Sequence, residues 1–221
     1  MKIVKPSIEV TFYLPENGDS TEKSIERAAR TCYKSEDKIT NVSAPRFVRK
    51  LRKRGHHAML EFGYATAHII ADRGLTHELV RHRLASFAQE STRYCNYSKG
   101  KFTSEITVIE QPGIVKGTEE HLVWCAAMED IQEKYMKLLE LGVKAEIARS
   151  VLPIGLKAEI NIGANLREWR HIFKMRCASS AHPIIRGVML EALEEFVDYM
   201  PAIYEDLAEE FLKEDIINEQ N

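Results

Sequence analysis

Apolar and polar positions repeat with two different periods along this chain, and the switches between them mark its elements. Ser7 to Leu14 alternates with a period of two, which predicts a strand. From Ser20 to Lys34 the period lengthens. Ile25, Ala28, Ala29 and Cys32 then share one face of a helix that Ser20 or Thr21 can cap. Ser43 is placed to cap a second helix, with Pro45 in its first turn and Gly55 as its stop. Phe62 to Asp72 is rich in alternating and β-branched residues and reads as a strand. Thr76 is the expected cap of a helix that carries on through Arg83. Lys101 to Gln111 holds a further strand, and Thr118 opens a long amphipathic helix ending near Gly142. A short helix from Lys144 stops at Pro153, and Ile154 to Ile162 reads as a strand. Asn165 caps a helix to about Cys177, and Pro183 begins a helical C-terminal stretch. Three or four strands and about six helices alternate without a regular βαβ order. This predicts an α+β fold in a single domain spanning residues 1–221, with a small, mostly antiparallel sheet flanked by several helices.

Composition narrows the function. A net charge of −2 excludes bulk electrostatic attraction to nucleic acid, so any anion site must come from local clustering of arginine. No apolar run is long enough to cross a membrane, and Met1 to Pro6 lacks the apolar core of a signal sequence. The expected location is therefore the cytoplasm, with no membrane partner. The four cysteines, Cys32, Cys95, Cys125 and Cys177, form no CxxC pair and are spaced irregularly. Reduced thiols are expected rather than a disulfide framework, and no bound metal is expected.

The densest polar segment runs from Glu78 to Tyr97. On a helix, Arg81 and Arg83 would lie on different faces, with His82 between them. The following turn carries Gln89, Glu90, Ser91, Thr92 and Arg93. Hydroxyls, backbone N–H groups and a guanidinium together can grip a phosphate and the polar edge of a base. The same run can also be a solvated helix face.

The spacing favours the first reading. Arg81-His82-Arg83, seven residues, then Ser91 with Thr92-Arg93-Tyr94 resembles the RHR-x7-S signature of flavin-dependent thymidylate synthases. Thr76 to Val80 leads into it as in that family. Gly55-His56 with Glu61, Ile147 to Pro153, and Asn165-Leu166-Arg167 with Arg176 resemble further family segments in the same order. The resemblance implies an enzyme that reductively methylates dUMP to dTMP. It would use FAD, with NADPH and 5,10-methylenetetrahydrofolate as co-substrates. By resemblance, Ala58 (through its backbone), Arg81, His82, Arg83, Gln89, Asn165, Leu166, Arg167 and His171 contact FAD. Glu78, Arg81, Gln89, Glu90, Ser91, Thr92, Arg93, Arg149 and Arg176 contact dUMP. Arg176 is the expected catalytic residue, a fixed cation against the uracil ring.

Simpler roles stand beside these. Asn165 can be an N-cap, and Glu78 a first-turn acid favoured by the helix dipole. Arg149 can be a cation at a helix end, His171 a surface histidine, and Arg176 half of a surface pair. His56 is a candidate folate contact or a core or cap histidine. Ser91 has no His or Asp partner at a telling spacing, and the family implies no enzyme nucleophile, so Ser91 is read as a dUMP ligand. Cys177 lacks the surroundings of a nucleophilic cysteine and reads as a structural thiol. Ala88-Gln89 stands where many members have Asn-Glu, which removes a charge and adds a donor. The family also implies a homotetramer with active sites shared between subunits. Two rival readings are a metal-dependent nucleotide hydrolase built on His56, His57, His77 and His82, and an RNA-binding module built on Arg81, Arg83, Arg93 and Tyr94. The first lacks an HExxH or HD pair, and the second lacks RNP and KH patterns.

Overall fold

The computed structural model describes residues 1–15, 19–102 and 104–218. In chain order its elements are β1 (Lys2–Val4), β2 (Ser7–Phe12), α1 (Thr21–Thr31), α2 (Ser43–Lys53), β3 (Tyr64–Asp72), α3 (Arg73–Leu79), β4 (Ser86–Gln89), β5 (Thr107–Ile109), α4 (Glu119–Glu140), α5 (Ala145–Ala148), β6 (Lys157–Asn165), α6 (Leu166–Arg176), α7 (Pro183–Tyr199) and α8 (Pro201–Asn218). The fold is α+β with a small antiparallel sheet, as expected. Its four strands lie in the order β2-β3-β6-β4, and β1 pairs separately and in parallel with β5.

The chain forms two compact units. Unit 1 comprises Met1–Ser7, Ile69–Arg81 and Phe87–Asn161, and unit 2 comprises Ile8–His68, His82–Ser86 and Ile162–Asn221. The long strands β3 and β6 each contribute residues to both.

Unit 1 gathers its core around Tyr97, Ile106, Val108, Tyr135, Ala148 and Leu156. The amphipathic α4 supplies only Tyr135 as a fully buried residue, so most of this 22-residue helix is at least partly exposed. Thr118 caps it by accepting the His121 N–H, and Gly142, at φ 84°, ends it in a conformation that glycine adopts without strain.

Unit 2 is built on an aromatic cluster. Trp169 and Phe173 of α6 pack with Phe196 of α7 and Tyr204 of α8, with several ring centroids 5.0–5.8 Å apart. All four side chains are fully buried, each contributing roughly 1.5–3 kcal/mol on hydrophobic transfer. Their polar handles are satisfied: Trp169 Nε1–H donates to Ala65 O at 3.0 Å, and Tyr204 O–H donates to Leu166 O at 3.0 Å. Gly63 lets the start of α6 come close. The Leu166 N–H donates to Gly63 O, and a Cβ on Gly63 would collide with Leu166 Cδ1. Arg170 pairs with Asp206, and Arg52 with Glu205, so the buried guanidiniums of unit 2 are compensated.

Five expectations need correction. Helix α3 begins at Arg73, capped by Asp72 accepting the Leu75 N–H at 2.8 Å, so Thr76 lies inside it. It ends at Leu79, and Arg81-His82-Arg83 therefore occupies a turn, where the opposite-face argument for a helix does not apply. Strand β6 starts at Lys157, three residues later than expected, because Leu156 N–H closes a turn on Pro153 O. Ser43 does not cap α2 with its side chain; its hydroxyl donates to Glu26 and accepts the Thr40 N–H. Cys32 lies just beyond α1 and is exposed, not on the packed face.

Candidate active site

In unit 1 the site residues converge on the loop after β4. Gln89 Nε2–H donates to Thr76 Oγ1 at 2.9 Å, and Thr76 donates onward to Arg73 O. Thr76, the supposed cap, instead holds the glutamine. Glu90 is fixed at both oxygens: the Tyr97 hydroxyl donates at 3.1 Å and Lys157 Nζ lies 3.0 Å away. Burial and then the Glu90 carboxylate push the Tyr97 phenol far above its ordinary value. Burial alone would lower Lys157, but hydrogen bonds to Glu159 and Glu90 outweigh it and raise its pKa. The Glu90 carboxylate thus props the loop, a use the sequence did not announce because Lys157 comes from a position 67 residues away.

The same loop carries the candidate nucleotide ligands. Thr92 is buried and accepts a hydrogen bond from Arg149 Nη1 at 3.1 Å, while Arg149 Nε–H donates to Glu146 O. Arg149 therefore satisfies a carbonyl of α5 and also reaches the loop. Arg93 is exposed, 3.7 Å from Glu146 and stacked near the Tyr94 ring. Ser91 Oγ accepts the Arg93 N–H at 3.4 Å. Among the described residues no histidine or carboxylate hydrogen-bonds Ser91 Oγ, so nothing there activates it as a nucleophile. Glu78 is half-buried in the last turn of α3, not its first. The helix dipole disfavours an acid there, which removes the dipole explanation for it.

In unit 2 the central residue is His82, which is buried, whereas Arg83 beside it is exposed. Arg176 Nε–H donates to His82 Nε2 at 3.1 Å. Burial, then Arg176, then His171 lower the His82 pKa to about 4. The imidazole is neutral near pH 7. The His171 ring stands edge-on to it, centroids 5.5 Å apart, and Glu168 Oε1 lies 3.7 Å from His82 Nδ1. Glu168 was not anticipated, although it sits three residues before His171 and so shares its helix face.

The remaining flavin candidates also fall in unit 2, apart from Arg81, which is exposed at the end of the α3 turn. Asn165 caps α6 by accepting the Glu168 N–H at 2.9 Å. Arg167 is exposed and paired with Glu61 at 2.7 Å. Leu166 is fully buried with its amide and carbonyl bonded to Gly63 and Tyr204, so it serves the core. Ala58 and His56 line a cavity of about 520 Å³ with Tyr33, Lys38, Lys50 and Arg54. Among the described residues none of its lining side chains is acidic, so it suits a ligand with an apolar body and negative charge.

A family model described as "Thymidylate synthase complementing protein" matches residues 14–202. The chain belongs to that family. Members similar to it include the flavin-dependent thymidylate synthase of Geobacter sulfurreducens, 34% identical over 84% of this chain and 81% of the relative. The enzyme of the same name from Corynebacterium glutamicum is 30% identical over 88% and 82%. In fold, the chain resembles a UMP/dUMP methylase, PolB from Streptomyces cacaoi bound with 5-Br dUMP. That likeness has a TM-score of 0.74 and covers 96% of this chain and 98% of the other, at 23% identity. Neither rival reading is favoured by this membership. Of the histidines considered for a hydrolase, His56 and His77 are exposed and His57 bonds to Arg52 O.

Proposed function

We propose that this protein is a flavin-dependent thymidylate synthase that reductively methylates dUMP to dTMP, with 5,10-methylenetetrahydrofolate as carbon donor and NADPH as reductant. The observation that carries this reading is the family match from residue 14 to 202, which runs through Arg81-His82-Arg83, Ser91 and Arg176 together. The match passes through both compact units, which supports treating residues 1–221 as one domain of this family.

The residues fit the flavin that the family implies. The acid-free cavity beside Ala58 and the cations Arg83 and Arg167 offer charge complementarity to a dinucleotide. When bound, FAD supplies hydride transfer chemistry. The chain's own residues bind and orient. Thr92 and Arg93 in the loop after β4, and Arg149 just beyond α5, would face dUMP, with Gln89 held for it by Thr76. Arg176 sets a fixed positive charge against the pyrimidine and stabilises negative charge developing there. Neutral His82 accepts the Arg176 N–H without adding a second positive charge. Ser91 binds and does not attack, and Cys177 stays a buried structural thiol.

The test is flavin uptake followed by NADPH oxidation. Purified protein should bind FAD and oxidise NADPH faster when dUMP and the folate are both added. Failure to take up FAD would sink the reading.

Two finer proposals accompany it. The location is cytoplasmic; no helix among the described residues is long and apolar enough to cross a membrane. The assembly is a homotetramer in which Glu78 and Arg176 reach dUMP from one subunit, and the Gln89–Arg93 loop with Arg149 from a neighbour. Interfaces are where concave sites large enough for three ligands commonly form. Arg93→Ala and Arg176→Ala should each be nearly inactive, and refolding them together should restore part of the activity. Mixed oligomers as inactive as their parents would contradict shared sites.

A further inference from the structure

Glu168 has no part in the chemistry described so far, yet its carboxylate is buried against the central histidine. The side chains of His82 and Glu168 are only 5% and 6% exposed. Charged groups are rarely placed so deeply without a partner. As the third residue of α6, Glu168 could reach back to cap the helix. Instead its own N–H goes to Asn165 Oδ1, and among the described residues its carboxylate pairs with no group other than His82.

The proton count on His82 gives this contact a direction. A guanidinium nitrogen keeps its proton and can only donate. Arg176 Nε–H therefore makes His82 Nε2 an acceptor. A neutral imidazole that accepts at Nε2 carries its proton on Nδ1. That Nδ1–H faces Glu168 Oε1 at 3.7 Å, a charge–dipole contact slightly longer than a hydrogen bond. His171 closes the other side, edge-on.

We propose that Glu168 is a positioning residue: its carboxylate holds His82 in the Nδ1–H tautomer, and His82 in turn fixes the guanidinium of Arg176 for the pyrimidine. The last link rests on the proposed function; the tautomer does not. The depressed pKa of His82 agrees with a ring that stays neutral and keeps one tautomer across neutral pH.

The same geometry weighs against a metal site. His82, Glu168 and His171 could each offer a ligand atom within 4.8 Å of the others. A metal on His82 Nδ1 would displace its proton and leave Nε2 as the only protonated nitrogen. Nε2–H would then point at Arg176 Nε–H, donor against donor, with a dication beside a guanidinium.

Nitrogen NMR of the full-length, flavin-loaded protein, with histidine ring nitrogens labelled, tests the tautomer without any assay of activity. At about pH 8, above the ordinary histidine range, wild type should show His82 as Nδ1–H. Arg176→Ala removes the donor to Nε2, so only Glu168 then holds the proton. That variant should keep the Nδ1–H form, and adding Glu168→Met should abolish the preference. Loss of the Nδ1–H form in Arg176→Ala alone overturns the proposal, whether or not any Glu168 variant folds. In turnover, Glu168→Met should lower kcat about tenfold with flavin affinity unchanged, and Glu168→Gln, which keeps an acceptor, should recover most of it. In an Arg176→Ala background, Glu168→Met should cost nothing further; an independent loss there means it does not act through Arg176. Micromolar zinc binding that disappears in His171→Ala would show a metal site and overturn the proposal. An enzyme inactive with dUMP but showing the expected tautomers would contradict the proposed function and leave Glu168's hold on His82 intact.

Discussion

The two units solve the problem of holding a site by different means. In unit 1 the loop after β4 is tied down by many ordinary bonds. Thr76 holds Gln89, Tyr97 and Lys157 hold Glu90, and Arg149 holds Thr92. Several of these groups are half-exposed, so each bond contributes modestly. In unit 2 few groups are involved; His82 and Glu168 are buried and Arg176 is half-buried beside them. One neutral histidine, one arginine and one carboxylate interact where water screens them little, and the histidine's pKa moves to about 4. The contrast teaches that the bonds tethering the unit 1 loop should tolerate single losses, whereas the contacts around His82 should not; Arg93, proposed to bind dUMP directly, is not one of those tethers.

The largest effect belongs to unit 2. Arg176→Ala should lower kcat by roughly 10²–10³, the cost of removing one preorganised charge partner, while flavin stays bound. Steady-state kinetics with flavin absorbance checks both parts. A loss below tenfold would erase the contrast with unit 1.

Next comes the pH dependence of stability. Folded His82 titrates near 4, whereas an unfolded histidine titrates near 6.5. Between those values the unfolded chain binds more protons, so stability falls as pH falls. The contribution is complete above about pH 6.5, and at most about 3 kcal/mol is lost by pH 4. Urea unfolding of wild type and His82→Gln across this range should show a shallower decline in the variant. Parallel curves would mean that His82 is not the source.

Smaller effects are expected in unit 1. Ser91→Ala should keep at least about a tenth of wild-type turnover, as for loss of one binding hydroxyl. Mass spectrometry of wild type with dUMP should find no adduct on Ser91; a covalent one would assign it a nucleophile's role. Thr92→Val should cost about 1 kcal/mol, seen as a KM for dUMP raised about fivefold with kcat kept. An unchanged KM would remove the Arg149–Thr92 bond from nucleotide binding.

The same divide runs through what the sequence revealed. Caps are local chemistry, so Ser20, Thr118 and Asn165 marked the starts of α1, α4 and α6 correctly. Asp72 was missed as a cap because it is also the last residue of β3, which runs into α3 with no residue between them. The pairing of β1 with β5 joins residues about a hundred positions apart, and no local pattern encodes it. For the site, the RHR-x7-S spacing led to both regions. It did not reveal Tyr97, Lys157 or Glu168, whose roles depend on what folding buries beside them. Glu168 in particular looks like an ordinary first-turn acid until the burial of His82 is known.

The central claim, that this chain builds dTMP from dUMP, is tested most directly by following the carbon. The FAD-loaded protein is given dUMP, NADPH and methylenetetrahydrofolate carrying an isotopic label on its methylene, and the nucleotides are weighed by mass spectrometry. The account predicts labelled dTMP from wild type, dependent on each of the three additions, and little from Arg176→Ala. Unlabelled or unchanged dUMP from a flavin-loaded, folded wild-type protein would contradict it.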